Sequence, residues 1–353
     1  MKRKHDQPSV AARAARLRQR SRPAARWAQA CAIVSGLLPA AAQALIHGEP
    51  TPSVAVATVE LVVEQWIWHG STRGIVSGRN ECSAVVVGRA PLTVLTAAHC
   101  LRDARLDPGN GLPVLRLQGG ATVLPPLRHA VYRRFEDVDA NLARDVAVLV
   151  FDGDAPDELG LMPLADHVDD DRAMLCGYGR GYTDKPLRQP RCAVKPLLAA
   201  SDDFYRFVPQ QYETLDPLLH LQFRAQFEAK HAVVEPAWAL LAVNRVEDGQ
   251  YRVALPMPTR GDSGGPWIVT DRDGRRGVFA LTSFVETFYR KNKQWTFFND
   301  SPGPLSDFPY AAYGVRLDTP EARALITRAR ALGADIRSLD GDATRRADAG
   351  GAR

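Results

Sequence analysis

The apolar residues of this chain come in short runs, and that segmentation constrains its fold more than any other property. Between residues 54 and 150 the runs 54–63, 83–87 and 92–95 are separated by turn-forming stretches, Ser77-Gly78-Arg79-Asn80 and Asp107-Pro108-Gly109-Asn110-Gly111. Sustained helical periodicity is nearly missing there. Several short strands at such spacing predict antiparallel β structure closing as a sandwich or a barrel. The same texture returns at residues 173–177, 251–256, 266–270 and 277–284. At 353 residues the chain has ample length for one large core or two smaller ones.

Two regions depart from this texture. Residues 201–250 have partly helical spacing, with Leu218, Leu221 and Phe223 to Phe227 followed by a further turn or two at 235–241; they read as a surface insertion. The stretch 319–332 places Ala322, Leu325, Ile326 and Ala329 on one face and several arginines on the other, which predicts an amphipathic helix. Residues 339–353 are small, polar and charged, and are expected to be disordered.

Charge is unevenly placed. The formal net charge is +5, yet residues 1–44 carry nine Lys or Arg against the single acid Asp6, leaving a balance of −3 for the rest. The basic character belongs to the leader, so a nucleic-acid partner is not implied. That leader has the three parts of a secretory signal: a cationic stretch ending near Arg26, an apolar stretch over 27–38, and Ala40-Ala41-Ala42-Gln43-Ala44. The apolar stretch is too short to span a bilayer comfortably, so no permanent membrane anchor is expected. No Arg-Arg pair precedes it, which leaves a twin-arginine signal unsupported. The alanine-rich style suggests a bacterial exporter and a secreted or periplasmic product. Cys31 leaves with the leader. The remaining four, Cys82, Cys100, Cys176 and Cys192, form an even set suited to two disulfides in an oxidising compartment, with three connectivities open.

Three segments carry chemistry. Gly261-Asp262-Ser263-Gly264-Gly265-Pro266 sets a serine among φ-permissive residues, so the backbone can turn tightly and present a hydroxyl beside exposed amide donors. Thr96-Ala97-Ala98-His99-Cys100 ends the apolar run 92–95, and Asp145-Val146-Ala147-Val148-Leu149-Val150 opens another with an acid. A serine hydroxyl needs a base to take its proton, and imidazole titrates near working pH.

In chain order His99, Asp145 and Ser263 resemble the triad of the trypsin/chymotrypsin family of serine proteases. The resemblance covers residues 45 to about 330. It implies an all-β fold of two antiparallel β-barrels of the chymotrypsin type with a C-terminal helix, occupying 45–338 and joined near 151–168. It implies a serine endopeptidase acting on polypeptides, with Ser263 as nucleophile, His99 as base, Asp145 as orienter, and the N–H groups of Gly261 and Ser263 as oxyanion hole. Cys82 and Cys100 match the family's bridge beside the catalytic histidine, and Cys176 and Cys192 then pair between neighbouring strands. Thr259 stands where the family places a cysteine adjoining the nucleophile. Asp262 matches an acid that pairs with the free amine of the mature N-terminus. Leu45-Ile46-His47-Gly48 resembles that N-terminus except for His47, so signal cleavage after Ala44 would itself generate the activating amine.

Alignment on Ser263 puts Met257 at the base of the primary specificity pocket, and Ser283-Phe284-Val285 resembles the Ser-Trp-Gly strand that binds substrate backbone. Met257 removes tryptic specificity and Val285 narrows the entrance, implying a small or medium apolar side chain. Arg260 precedes the oxyanion glycine and reads first as a solvated arginine. Residues 286–307 have extra length and lack the family's cysteine. No cofactor is implied. No metal is implied either: the eight histidines lack paired ligand spacing, and the turn around Asp107 is a turn before it is a calcium loop. Gly177-Tyr178-Gly179-Arg180-Gly181 looks like the family's Gly-Trp-Gly loop, not a phosphate cradle. Two other classes remain: a protease fold retained as an inactive binding module, and an unrelated β-rich binding protein.

Overall fold

A computed structural model describes residues 45, 48–49, 57–69, 72–101, 114–117, 120–121, 126–133, 142–169, 171–179, 189–199, 239–243, 246–247, 250–251, 256–291, 294–298 and 307–339. The expected leader (1–44), the turn at 107–111, the helical spacing at 218–227 and the tail beyond 339 lie outside these residues. Among the described residues of the unit 42–353 the chain is mostly antiparallel β with a C-terminal helix.

The first sheet holds β1 (Thr58–His69), β2 (Thr72–Arg89), β3 (Leu92–Thr96), β4 (Val114–Leu117), β5 (Gly120–Ala121), β6 (Leu127–Tyr132) and β7 (Ala147–Phe151), in the order β5-β4-β1-β2-β3-β7-β6. The second holds β8 (Arg172–Gly177), β9 (Arg191–Pro196), β10 (Leu198–Ala199) and β11 (Ala239–Val243). The short ladder β12 (Val246–Glu247) with β13 (Gln250–Tyr251) stands apart. The second sheet continues with β14 (Pro266–Thr270), β15 (Arg276–Lys291), β16 (Gln294–Phe298) and β17 (Asp307–Arg316). Its order is β10-β11-β17-β15-β14-β8-β9, with β16 paired to β15.

The runs are apolar on both faces because several strands are buried on both. In β7, Ala147, Leu149 and Phe151 join the core of the first sheet, while Val148 and Val150 face a second cluster that also contains Cys176, Ile268, Leu281 and Tyr313. Period-two alternation sends successive side chains to opposite faces, so a strand between two cores reads as a continuous apolar run. A third cluster, centred on Trp267, Leu175 and Phe279, fills the second sheet.

The C-terminal helix α1 (Pro320–Ala331) buries Ala322, Leu325, Ile326 and Ala329, as the periodicity predicts. Thr319 caps it by accepting from the Ala322 N–H at 3.1 Å, and Pro320 needs no donor at the first position. The helix packs on β6, β7 and the 3-10 turn Leu142–Arg144, the segment that delivers Asp145. The fold continues to Leu339, which is buried and donates its N–H to Leu164.

Two expectations are corrected. The break at Ser77–Gly78–Arg79–Asn80 is absent: these residues lie inside β2, where Asn80, Arg79 and Gly78 pair with Val63, Glu64 and Gln65. A long antiparallel partner supplies the ladder, and a register shift after Gln65 absorbs the irregularity. Residues 239–241 are strand, not helix. β11 pairs with β17 along its whole length and buries Ala239, Leu240 and Ala242, so its pairing partner overrides a local pattern too short to decide. The extra length at 286–307 includes the outer part of β15 and its hairpin with β16.

Candidate active site

His99 and Asp145 come from the first sheet. β3 ends at Thr96, and the chain turns at once into a 3-10 turn, Ala98–Leu101, that carries His99. The Cys82–Cys100 disulfide ties that turn to β2. Asp145 follows the 3-10 turn Leu142–Arg144, its N–H bonded to the Leu142 carbonyl at 3.0 Å, and stands two residues before β7. Because β3 and β7 pair antiparallel, with Thr96 opposite Ala147, the two residues emerge at one end of the ladder.

The Asp145 carboxylate is buried and receives three donors. Oδ1 accepts the His99 backbone N–H at 2.9 Å, and Oδ2 faces His99 Nδ1 at 2.9 Å and the Ser283 hydroxyl at 2.5 Å. Burial alone would raise this carboxyl, but the imidazole's charge and the hydrogen bonds from His99 and Ser283 outweigh it and hold it below the ordinary aspartate value. An ionised carboxylate only accepts, so Nδ1 carries a proton, and in the neutral ring Nε2 then presents its lone pair. The His99 side chain is 29% exposed.

Ser263 lies in the turn before β14. Gly261 and Gly264 adopt φ of 94° and 77°, conformations that L side chains avoid. A side chain at Gly264 would also collide with Thr96 Oγ1 and the Ser83 carbonyl, so the turn sits directly against the end of β3. The Ser263 carbonyl accepts the Ser83 N–H at 2.7 Å and lies 3.7 Å from Cys100 Sγ, itself 4.0 Å from His99 Nε2. That sulfur is oxidised and has no proton to give, so its contacts are van der Waals. The Ser263 hydroxyl has no hydrogen-bond partner among the described residues, and neither do the N–H groups of Gly261 and Ser263. Among the described residues the turn therefore keeps two amide donors unengaged beside the half-buried Ser263.

Asp262 points the other way, into the protein. It is fully buried; Oδ1 accepts from the Gly179 N–H at 2.7 Å and Oδ2 from the Thr259 N–H at 2.8 Å and hydroxyl at 3.3 Å. The nearby backbone N–H of Leu45 also favours its charged form. Burial pushes its carboxyl up to about 6 despite these donors. Gly177 and Gly179 are glycines because the carboxylate occupies the space their Cβ atoms would take. Leu45 is buried, and the adjoining Glu49 exchanges both backbone hydrogen bonds with Cys192 on β9, at 2.9 Å each.

The specificity candidates divide. Met257 is wholly buried in the third core, and Val285 packs against that core. Phe284 stacks on Tyr313, centroids 4.1 Å apart and planes 12° from parallel. Arg260 is exposed. Ser283 is buried and turned toward Asp145, a contact that sequence reading missed. Also missed were Ser83 and the cradle that Gly177 and Gly179 form around Asp262; the Gly-x-Gly spacing was the available signal. Thr259 supplies hydrogen bonds to Asp262. Cys82, Cys100 and His99 cluster closely, but both sulfurs are in the disulfide and offer no thiolate to a metal.

The result is an antiparallel two-sheet protein in which a buried carboxylate, bonded to a part-exposed imidazole, lies near a serine turn whose Gly261 and Ser263 amides have no partner among the described residues. No protein-family model matches the chain, and no curated protein matches it in sequence.

Proposed function

We propose that this chain is an exported serine endopeptidase of the trypsin/chymotrypsin type, its two sheets closing as two β-barrels with the reaction centre between them. The observation that supports the reading is the oriented His99–Asp145 pair, whose neighbour Cys100 lies 3.7 Å from the Ser263 carbonyl, together with Gly261 and Ser263 amides that have no partner among the described residues. Ser263 Oγ attacks a peptide carbonyl carbon as His99 Nε2 takes the hydroxyl proton. The carbonyl oxygen becomes an oxyanion accepting from the two amides. The carbon–nitrogen bond then breaks, His99 returns the proton to the leaving amine, and water hydrolyses the acyl-enzyme by the same route. Asp145 stays ionised and stabilises the imidazolium.

Asp262 acts as a latch in this reading. Cleavage after Ala44 converts the Leu45 amide into an ammonium beside a buried carboxylate, which favours the ion pair and holds the oxyanion turn in shape. Export fits the two disulfides, which belong in an oxidising compartment. Among the described residues no helix is long and apolar enough to cross a membrane.

The buried Met257 and the Phe284–Tyr313 stack favour a second reading, a protease fold retained for binding with its specificity pocket closed. One experiment separates the two. Purified processed protein should be labelled covalently by a fluorophosphonate probe, and Ser263→Ala should abolish labelling. Absence of labelling in correctly processed protein leaves the binding module.

A further inference from the structure

We propose that Ser83 is a positioning residue for the oxyanion turn, a role that rests on the serine-hydrolase reading above. Ser83 lies on β2 and is completely buried. Its hydroxyl donates to the Gly261 carbonyl at 2.9 Å and accepts from the Tyr178 N–H at 2.8 Å. Its own N–H donates to the Ser263 carbonyl at 2.7 Å, and its carbonyl accepts from the Thr96 hydroxyl at 2.8 Å. Three of these four bonds reach residues outside the first sheet, and two end on the turn that carries the nucleophile.

The consequence is mechanical. Gly261 holds a φ of 94°, and glycine has no side chain to keep it there. The Gly261–Asp262 peptide plane is instead pinned from outside on both edges. Ser83 holds its carbonyl, and the Thr259 carbonyl accepts its N–H at 3.0 Å. The N–H groups of Gly261 and Ser263 lie in the peptide planes on either side, so fixing this plane and the Ser263 carbonyl limits the backbone rotations open to them. Catalysis by such donors depends on their pointing at the developing oxyanion before it forms.

The neighbour of Ser83 makes the arrangement more specific. Cys82 is bonded to Cys100, which adjoins His99. The dipeptide Cys82-Ser83 therefore grips the base covalently through one residue and the oxyanion turn by hydrogen bonds through the next. It sets the separation between proton acceptor and amide donors across the junction of the two sheets. Ser83 touches no reacting atom, so it acts only through Gly261 and Ser263.

The test is the second-order rate of fluorophosphonate labelling of processed protein, since the probe's phosphoryl oxygen uses the oxyanion donors. Removing one such donor outright costs roughly 100- to 1,000-fold. Ser83→Ala, which loosens the donors without deleting them, should slow labelling about 10- to 100-fold by the same reasoning. The midpoint of the pH–rate curve should stay in place, because His99 and Asp145 are untouched, and Ser83→Thr should recover most of the rate. An unchanged rate in Ser83→Ala overturns the proposal, as does an equal loss in Ser83→Thr. A loss no larger than the unfolded fraction, measured by circular dichroism, also overturns it. Should Ser83→Ala fail to fold, Ser83→Cys and Ser83→Gly give the same readout. If no variant lacking the hydroxyl folds, the hydroxyl serves folding and the positioning role is overturned. Wild-type protein that does not label at Ser263 sinks the hydrolase reading itself, a result distinct from wild-type labelling with an unaffected Ser83→Ala.

Discussion

Ser283 on β15 donates its hydroxyl to Oδ2 of Asp145, which stands just before β7, so a hydrogen bond of 2.5 Å joins the second sheet to the acid of the first. With both His99 donors also engaged, Asp145 has the partners a buried carboxylate needs to remain charged.

Ser283→Ala removes one donor from this anion. A hydrogen bond to a charged group contributes about 1.5–3 kcal/mol, and a loss of that size is expected in urea unfolding at pH 7. The carboxyl is held below its unfolded value, so its stabilisation is full above the unfolded pKa and is lost as pH falls through the folded one. The difference between wild type and Ser283→Ala should therefore shrink at strongly acidic pH. A difference that is constant from neutral to strongly acidic pH would show that the hydroxyl acts by packing alone.

Asp262 has the opposite sign. Its carboxyl is raised to about 6 when Leu45 offers only an amide N–H. Such a group stabilises the uncut chain below its unfolded pKa near 3.8, and that contribution is lost as pH rises through about 6. Urea midpoints of uncut protein should fall over this window, and Asp262→Asn should flatten the fall and raise stability at pH 7. In protein beginning at Leu45 the ammonium partners the carboxylate, so Asp262→Asn should destabilise instead. The same effect in both forms would refute the latch.

Gly179→Ala places a methyl group on the Asp262 carboxylate. Overpacking of this kind costs typically about 1–3 kcal/mol, and here the obstructing atoms belong to a fully buried carboxylate. Urea unfolding should show a loss at the upper end of that range. A neutral substitution would mean the cradle has slack that its geometry does not suggest.

The Cys176–Cys192 bridge joins residues directly opposite on β8 and β9, 16 positions apart in sequence. Closing a loop of that length stabilises by about 3 kcal/mol on the chain-entropy argument. Replacing both cysteines by serine should lower stability by an amount of that order. Peptide mapping without reduction should recover Cys82 with Cys100 and Cys176 with Cys192; any other pairing contradicts the strand register.

The elements legible in the sequence are those whose signal is local. β3, β7 and β14 fall close to where their short apolar runs place them, and α1 where its period of 3.6 does, since run length and period are properties of neighbouring residues. β2 and β11 were misread for the converse reason. The polar stretch around Gly78 becomes strand because β1 lies alongside, and 239–241 becomes strand because β17 does. Among site residues, His99, Asp145, Ser263 and Asp262 stand in recognisable strings. Ser83 and Ser283 do not, for a serine in a strand announces nothing until its partner is known.

Local patterning along the chain carries the β character, the terminal helix and the residue types available for chemistry. Which polar groups face one another depends on how the chain packs: Ser283 with Asp145, Ser83 with Gly261, Leu45 with Asp262. The difference is one of range. Strand and helix patterning is set within a few residues, whereas the orientation of a buried carboxylate or a glycine amide is set by donors and acceptors from distant segments, which have no common pattern along the chain.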